Sequence, residues 1–130
     1  MSEAPDSEVV ELATKIFDLA RQGRTEELVA YVDAGVPADL TNDRGDSLVM
    51  LAAYHGHAGA VRALLSRGAD ADRVNDRGQT PLAGAAFKGE TEVTRALLEA
   101  GADPAAGTPS AVDTARMFAR TELLELFGAQ

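Results

Sequence analysis

Metal binding is the first chemistry to consider, because the two histidines of the chain, His55 and His57, stand close together. A structural zinc ion takes four ligands, drawn mainly from cysteine and histidine side chains. The chain has no cysteine and no third histidine, so the pair is not completed to such a set. The sequence therefore predicts no metal site.

Calcium binding is a second chemistry, which one loop imitates. Asp70 and Asp72 occupy the first and third positions of a calcium-loop pattern. The fifth position is Val74, the sixth is Asn75 instead of glycine, and the twelfth is Pro81 instead of glutamate. A solvated turn is therefore the better interpretation of this loop.

Phosphate binding and nucleophilic catalysis find no better support. Gly84 and Gly89 have the spacing of a phosphate loop, but Glu90 stands where that loop needs lysine. The stretch also falls inside a predicted helix, whose backbone could not cradle a phosphate. No serine has a histidine and a carboxylate at motif spacing. We expect no catalytic residue, no cofactor and no enzymatic activity.

The charge balance narrows the choice of partner. Twelve basic and 21 acidic residues give a formal charge of −9, whereas nucleic-acid binding needs clustered lysine and arginine. A basic partner is compatible with this charge, but an acidic surface also serves simple solubility. The acidic start of the chain and the lack of about 18 consecutive apolar residues predict neither a signal peptide nor a membrane span. A cytoplasmic protein is the expectation.

The elements that must position any functional side chain come in repeats. Residues 42–47 (NDRGDS) return 33 residues later as residues 75–80 (NDRGQT). The same interval separates further pairs: residues 52–53 and 85–86 (both AA), Gly56 and Gly89, residues 62–65 and 95–98 (both RALL), and residues 68–70 and 101–103 (both GAD). A fixed period of this length is typical of a solenoid, whose units bury their apolar faces by stacking.

The repeated residues resemble one known family. Residues 78–82 (GQTPL), with the alanine pair, the glycine, the leucine pair and the GAD triplet that follow, are similar to the ankyrin repeat. The resemblance implies an all-α ankyrin-repeat solenoid of about four helix-turn-helix units joined by hairpin-like turns. A tetratricopeptide solenoid has a similar period but no recurring turn motif. One family feature is missing, since the histidine that usually braces the turn is Met50 in one unit and Ala83 in the other.

The repeats predict the domain plan. Residues 1–6 are read as a short polar tail and residues 7–130 as one repeat domain, with units at about 8–41, 42–74, 75–108 and 109–130. The outer units are degraded, as is usual for terminal repeats. Predicted helices begin with Ser7 as a cap and end before Gly23, and others cover residues 25–33, 48–54, 58–67, 113–119 and 121–127. Thr80 should cap a further helix with Pro81 at its first position.

The resemblance implies that the turn tips and first helices line a concave face, where binding residues usually vary while the framework repeats. At the tips, residues 43–44 and 76–77 are identical, while Asp46 differs from Gln79. The candidates lie at the turn tips and at the ends of the first helices: Asp43, Arg44, Asp46, Tyr54, His55, Asp76, Arg77, Gln79, Phe87, Lys88, Met117 and Phe118. Among them Tyr54, Phe87 and Met117 or Phe118 form a row of large side chains. This row is either a set of exposed anchors or packing between repeats.

The resemblance implies a protein-protein interaction module that binds another protein on its concave face. Arg44 and Arg77 would pair with acidic or backbone groups, while Asp43, Asp46 and Asp76 would favour basic ones. The alternative is a structural unit that associates with its own copy. We expect no nucleic acid and no membrane as partner, and a monomer, with a homo-oligomer left open.

Overall fold

The structure, a computed structural model, describes residues 7–128, and the predicted polar tail at residues 1–6 lies outside the described residues. Eight helices occur between residues 7 and 128: α1 (Ser7–Gln22), α2 (Thr25–Asp33), α3 (Leu48–Tyr54), α4 (Ala58–Leu65), α5 (Pro81–Lys88), α6 (Thr91–Glu99), α7 (Ala111–Met117) and α8 (Thr121–Leu126). They form four pairs, in which odd-numbered helices pack on odd-numbered ones and even on even. The result is a two-layered stack of helix pairs, as the resemblance implied. We call the odd-numbered helices the inner layer and the even-numbered helices the outer layer.

Side-chain caps set where the inner helices begin. The hydroxyls of Ser47 and Thr80 accept hydrogen bonds from the backbone amides three residues ahead, at 3.0 and 3.1 Å. Ser110 does the same for the amide of Asp113 at 3.1 Å. Each cap satisfies an amide that has no partner inside the helix. Ser7, predicted as a cap, is instead the first described residue of α1.

Four further predicted helix bounds were wrong, one of them the end of α8, which was predicted at residue 127 and lies at Leu126. The first helix of the last repeat begins at Ala111 rather than at residue 113 and ends at Met117. Ser110 takes the capping role of Thr80 there, although no proline follows it to mark the start. The predicted helix 58–67 ends two residues early, at Leu65, because the chain tightens there toward Gly68.

The bends inside the pairs repeat one arrangement. Gly23, Gly56 and Gly89 have positive φ angles of 70–81°, and in the last repeat Ala119 takes this place with a φ of 54°. After two of these bends, the following residue hydrogen-bonds to the preceding repeat. His57 Nε2 lies 2.7 Å from the carbonyl oxygen of Arg21. Arg120 likewise donates to the carbonyl oxygens of Ala86 and Phe87.

The core consists of small residues between layers and leucines between helix pairs. Ala52, Ala53, Ala85 and Ala86 are fully buried. All four leucines of the two RALL segments are expected in the core, but only Leu64 and Leu97 are fully buried, whereas Leu65 and Leu98 are partly buried against it.

Apolar residues recur at helical spacing along α1 from Val9 to Ala20, which predicts a buried stripe, but this stripe is buried only in part. Ile16, Phe17 and Ala20 belong to the core, but Val9 and Leu12 are exposed. The reason is length, since a 16-residue helix spans about 24 Å and the seven residues of α3 about 10 Å. The first turns of α1 therefore extend beyond the helix that covers the rest.

Candidate functional site

Two asparagines shape the turn tips that carry the charged candidates. The side-chain oxygen of Asn42 accepts hydrogen bonds from the amides of Arg44 and Asp46 at 2.9 and 3.0 Å. Asn75 makes the same pair of bonds to the amides of Arg77 and Gln79. These bonds close the turns locally, as asparagine commonly does. They brace the turns where the histidine expected from the ankyrin pattern is missing.

The two tips are also joined to each other. The amide of Asp76 donates to the carbonyl oxygen of Arg44 at 3.0 Å. The side-chain nitrogen of Asn75 donates to Asp46 at 2.9 Å, and Asn75 is only 8% exposed. The tips of the second and third repeats are therefore held in a fixed relation.

The row of large side chains lies at the ends of α3, α5 and α7. The rings of Tyr54 and Phe87 are stacked, with centroids 6.3 Å apart and planes 9° from parallel. Phe87 meets Phe118 edge to face at 5.1 Å. All three remain exposed, by 37%, 42% and 43%. The row joins successive repeats and also presents ring surface to solvent, so each sequence-level alternative describes part of it.

The turn tips and the row of Tyr54, Phe87 and Phe118, which we call the aromatic row, enclose a groove of about 610 Å³. Ten of the twelve candidates line it: Asp43, Arg44, Asp46, Tyr54, His55, Arg77, Gln79, Phe87, Met117 and Phe118. Asp76 is not among the lining residues and lies against Gly45 of the preceding tip. Lys88 is also outside the lining, but its ammonium group lies 4.9 Å from the centre of the Tyr54 ring.

Sequence reasoning missed several residues of the groove, including Arg21, Met50, Gly84 and Thr114. Arg21 had a signal, because it aligns with Tyr54 and Phe87 in the repeat. Gly84 had one too, since glycine inside a helix is unfavourable and invites a reason. A Cβ atom there would come 3.3 Å from the sulfur of Met50 and 3.7 Å from the Tyr54 ring.

The histidines have separate environments. His55 lines the groove and meets the Tyr54 ring edge to face at 5.4 Å. Partial loss of hydration lowers the pKa of His55, and the nearby charges of His57, Lys88 and Arg21 lower it further. His57 holds the bend of the first repeat, as described above. In residues 7–128, no group of three histidine, aspartate or glutamate side chains is placed to hold a metal ion.

Comparison with known proteins agrees with this architecture. A sequence model of ankyrin repeats in three copies matches residues 16–107. The chain belongs to the ankyrin repeat family. Ankyrin repeats are in general protein-protein interaction modules, and the fold is a non-enzymatic interaction scaffold.

Two related ankyrin proteins add detail. An ankyrin repeat protein of Pseudomonas aeruginosa is 47% identical to the chain over 66 residues, covering 48% of this chain and 39% of that protein. The crystal structure of the human ASB11 ankyrin repeat domain matches with a TM-score of 0.78 and 29% identity, over 86% of this chain and 52% of that one. The chain thus spans about half or less of the length of each. No helix between residues 7 and 128 is long and apolar enough to cross a membrane.

Proposed function

We propose that this chain is a protein-binding module that holds its partner in the groove between the turn tips and the aromatic row. The observation that carries the proposal is the row itself. Tyr54, Phe87 and Phe118 are contiguous, each is about two-fifths exposed, and charged turn tips stand beside them. Partly exposed aromatic anchors with a polar rim are the usual composition of a binding hot spot.

Packing around Phe87 preorganises the proposed binding site. Phe87 is fixed from both sides by rings of neighbouring repeats, and Arg120 holds the backbone carbonyl of Phe87 at 2.7 Å. A side chain that is already ordered loses little conformational entropy when a partner covers it. When a partner buries the exposed ring surface of the row, little of the resulting free energy is therefore lost to ordering these side chains.

The first prediction tests this role with Phe87→Ala. Loss of two ring contacts should cost about 1 kcal/mol of stability, whereas affinity for the partner should fall by about 2 kcal/mol or more. Leu12→Ala is the matched control, because Leu12 is 41% exposed, close to the 42% of Phe87, and lies outside the groove. The partner is first captured from a lysate with the immobilised protein, and its affinity for each variant is then measured by calorimetry.

Equal affinity of the partner for the folded Phe87→Ala and Leu12→Ala variants would contradict the proposal. Light scattering during size-exclusion chromatography distinguishes self-association. A dimer that becomes a monomer only in Phe87→Ala would identify a second copy as the occupant. The module would then be a structural unit instead of an adaptor.

A further inference from the structure

The groove differs in charge from the rest of the molecule. Three arginines (Arg21, Arg44 and Arg77) and two aspartates (Asp43 and Asp46) line it, which leaves one net positive charge. The whole chain carries −9. An acidic protein has thus placed a cationic surface beside its exposed aromatic side chains.

The charges of the groove are also unequally available. Asp46 accepts a hydrogen bond from Asn75, and Arg21 pairs with Asp18 at 2.8 Å. Arg44 and Arg77 have no carboxylate within ion-pair distance in the described part of the chain. Both are exposed. Arg44 and Arg77, which recur at the same position of successive tips, are therefore available to bind a ligand. Of the two aspartates that line the groove, only Asp43 is similarly available.

The floor of the groove between these arginines and the aromatic row is apolar, with Met50, Leu51 and Ala83 among its lining residues. Gly84 of α5 belongs to this floor, and a Cβ atom there would lie only 3.3 Å from the sulfur of Met50. Lys88 lies outside the lining, and its ammonium group adds a further cation over the Tyr54 ring. A ligand that fits both features has apolar side chains for the floor and carboxylates for the rim.

We propose that the partner segment is an acidic peptide, whose apolar side chain sits over Gly84 and the aromatic row while its carboxylates pair with Arg44 and Arg77. The inference rests on the proposed function and adds the chemistry of the partner. The turn sequences alone left both signs of charge open. The intramolecular use of Asp46 and the free state of the two arginines favour an acidic ligand.

A random peptide library displayed on phage provides the test. Selection on the intact protein should enrich sequences in which aspartate or glutamate flanks an aromatic or aliphatic residue. Synthetic versions of these peptides should bind the double variant Arg44→Gln/Arg77→Gln at least about tenfold more weakly, as expected for lost charge-assisted hydrogen bonds. Arg73→Gln is the matched control, because Arg73 is exposed and outside the groove. Its affinity should not change.

A second variant tests the floor without altering charge. Gly84→Ala adds a methyl group to the floor, 3.3 Å from the sulfur of Met50, and should weaken binding of the acidic peptide at least about fivefold. A cooperative unfolding transition shows that the variant is folded. Peptides that are basic, or acidic peptides that bind the arginine variant as well as the control, would overturn the inference. If basic peptides still require Phe87, the groove remains the binding site and only the partner chemistry is wrong. Selected peptides whose affinity is unchanged by substitution of Phe87, Gly84 and both arginines would overturn the proposed function as well.

Discussion

At the C-terminal ends of the outer helices, one residue type decides the backbone path. Gly68 and Gly101 have φ angles of 91° and 88°, in a region that side chains with a Cβ atom rarely adopt. A Cβ atom at either position would meet no other atom within 4 Å. The cost of a Cβ atom there is therefore backbone strain and not overlap with another part of the fold.

Gly68→Val and Gly101→Val should each destabilise the fold by more than about 1 kcal/mol, because valine resists a positive φ. The control is Gly59→Ala, since Gly59 lies in α4 without a positive φ and should gain about 0.5–1 kcal/mol from helix propensity. Urea denaturation of the three variants measures the difference. Unchanged stability of both valine variants would refute the role of strain.

The ion pair between Asp33 and Arg67 makes a second prediction at the residue scale. The two side chains meet at 2.8 Å, and the hydrogen bond from Arg67 holds the pKa of Asp33 below its ordinary value of 3.8. A carboxyl group whose pKa is lower in the folded state stabilises the fold above its unfolded pKa. That stabilisation is lost as the pH falls through the folded pKa.

Asp33→Asn should therefore lower the melting temperature at pH 7 and at pH 5, and the gap to the parent protein should narrow below about pH 3.8. Asp43→Asn removes an equal charge from a carboxylate that has no ion pair within residues 7–128, and it corrects for net charge. Because the pair is exposed, the gap should also shrink in high salt. A gap that stays constant from pH 7 to pH 3 would show that the pair contributes no pH-dependent stability.

At the scale of elements, the two leucines that end each RALL segment have different roles. Leu97 is fully buried between helices, while Leu98 is only partly buried on the outer side of α6. Leu97→Ala should cost about 2–5 kcal/mol, as for a fully buried leucine that leaves a cavity. Leu98→Ala should cost less than half as much, because its side chain already contacts water. Equal losses in chemical denaturation would contradict this assignment of the helix face.

Most helices could be predicted because their ends carry local signals. Serine or threonine before an apolar run and glycine after it determine hydrogen bonds within a few residues. The bounds of α2 and α3 are those expected from the sequence. The start of α7 was missed, since Ser110 is followed by alanine in place of proline and the turn before it is three residues shorter.

Contacts between repeats were harder to predict from the sequence. The stripe on α1 continues to Val9 and Leu12, but sequence periodicity cannot tell where the neighbouring helix stops. At the candidate site, the positions of ten lining residues followed from the repeat register. Which of the charges are free did not follow, because Asp43 and Asp46 look alike in sequence and only Asp46 is held by Asn75.

Over the whole molecule, stability should decline toward the last repeat. A stack gains its stability from contacts between neighbours, so a short terminal unit opens most easily. The last helix, α8, has six residues and Leu123 as its buried side chain, whereas α4 buries Ala60, Val61 and Leu64 between two neighbours.

Amide hydrogens of α8 should therefore exchange at least about tenfold faster than those of α4, which corresponds to a difference of about 1.4 kcal/mol in opening free energy. Native-state hydrogen exchange followed by nuclear magnetic resonance resolves the two helices. Amides of α2 provide a control for an outer helix of a terminal unit that is backed by the longer α1. Equal exchange in α8 and α4 would mean that the four repeats open as one cooperative body.

The outer loops contain a joint that occurs twice. The carboxylate of Asp39 accepts from the amide of Asp70 at 2.7 Å, and 33 residues later Asp72 accepts from the amide of Asp103 at 3.0 Å. The first and second units thus each offer a carboxylate acceptor that the following unit meets with its backbone amide. A duplicate of residues 42–74 inserted after residue 74 would find this joint at both of its new boundaries. Further copies of this unit could therefore be inserted one at a time, and each would extend the groove without widening it.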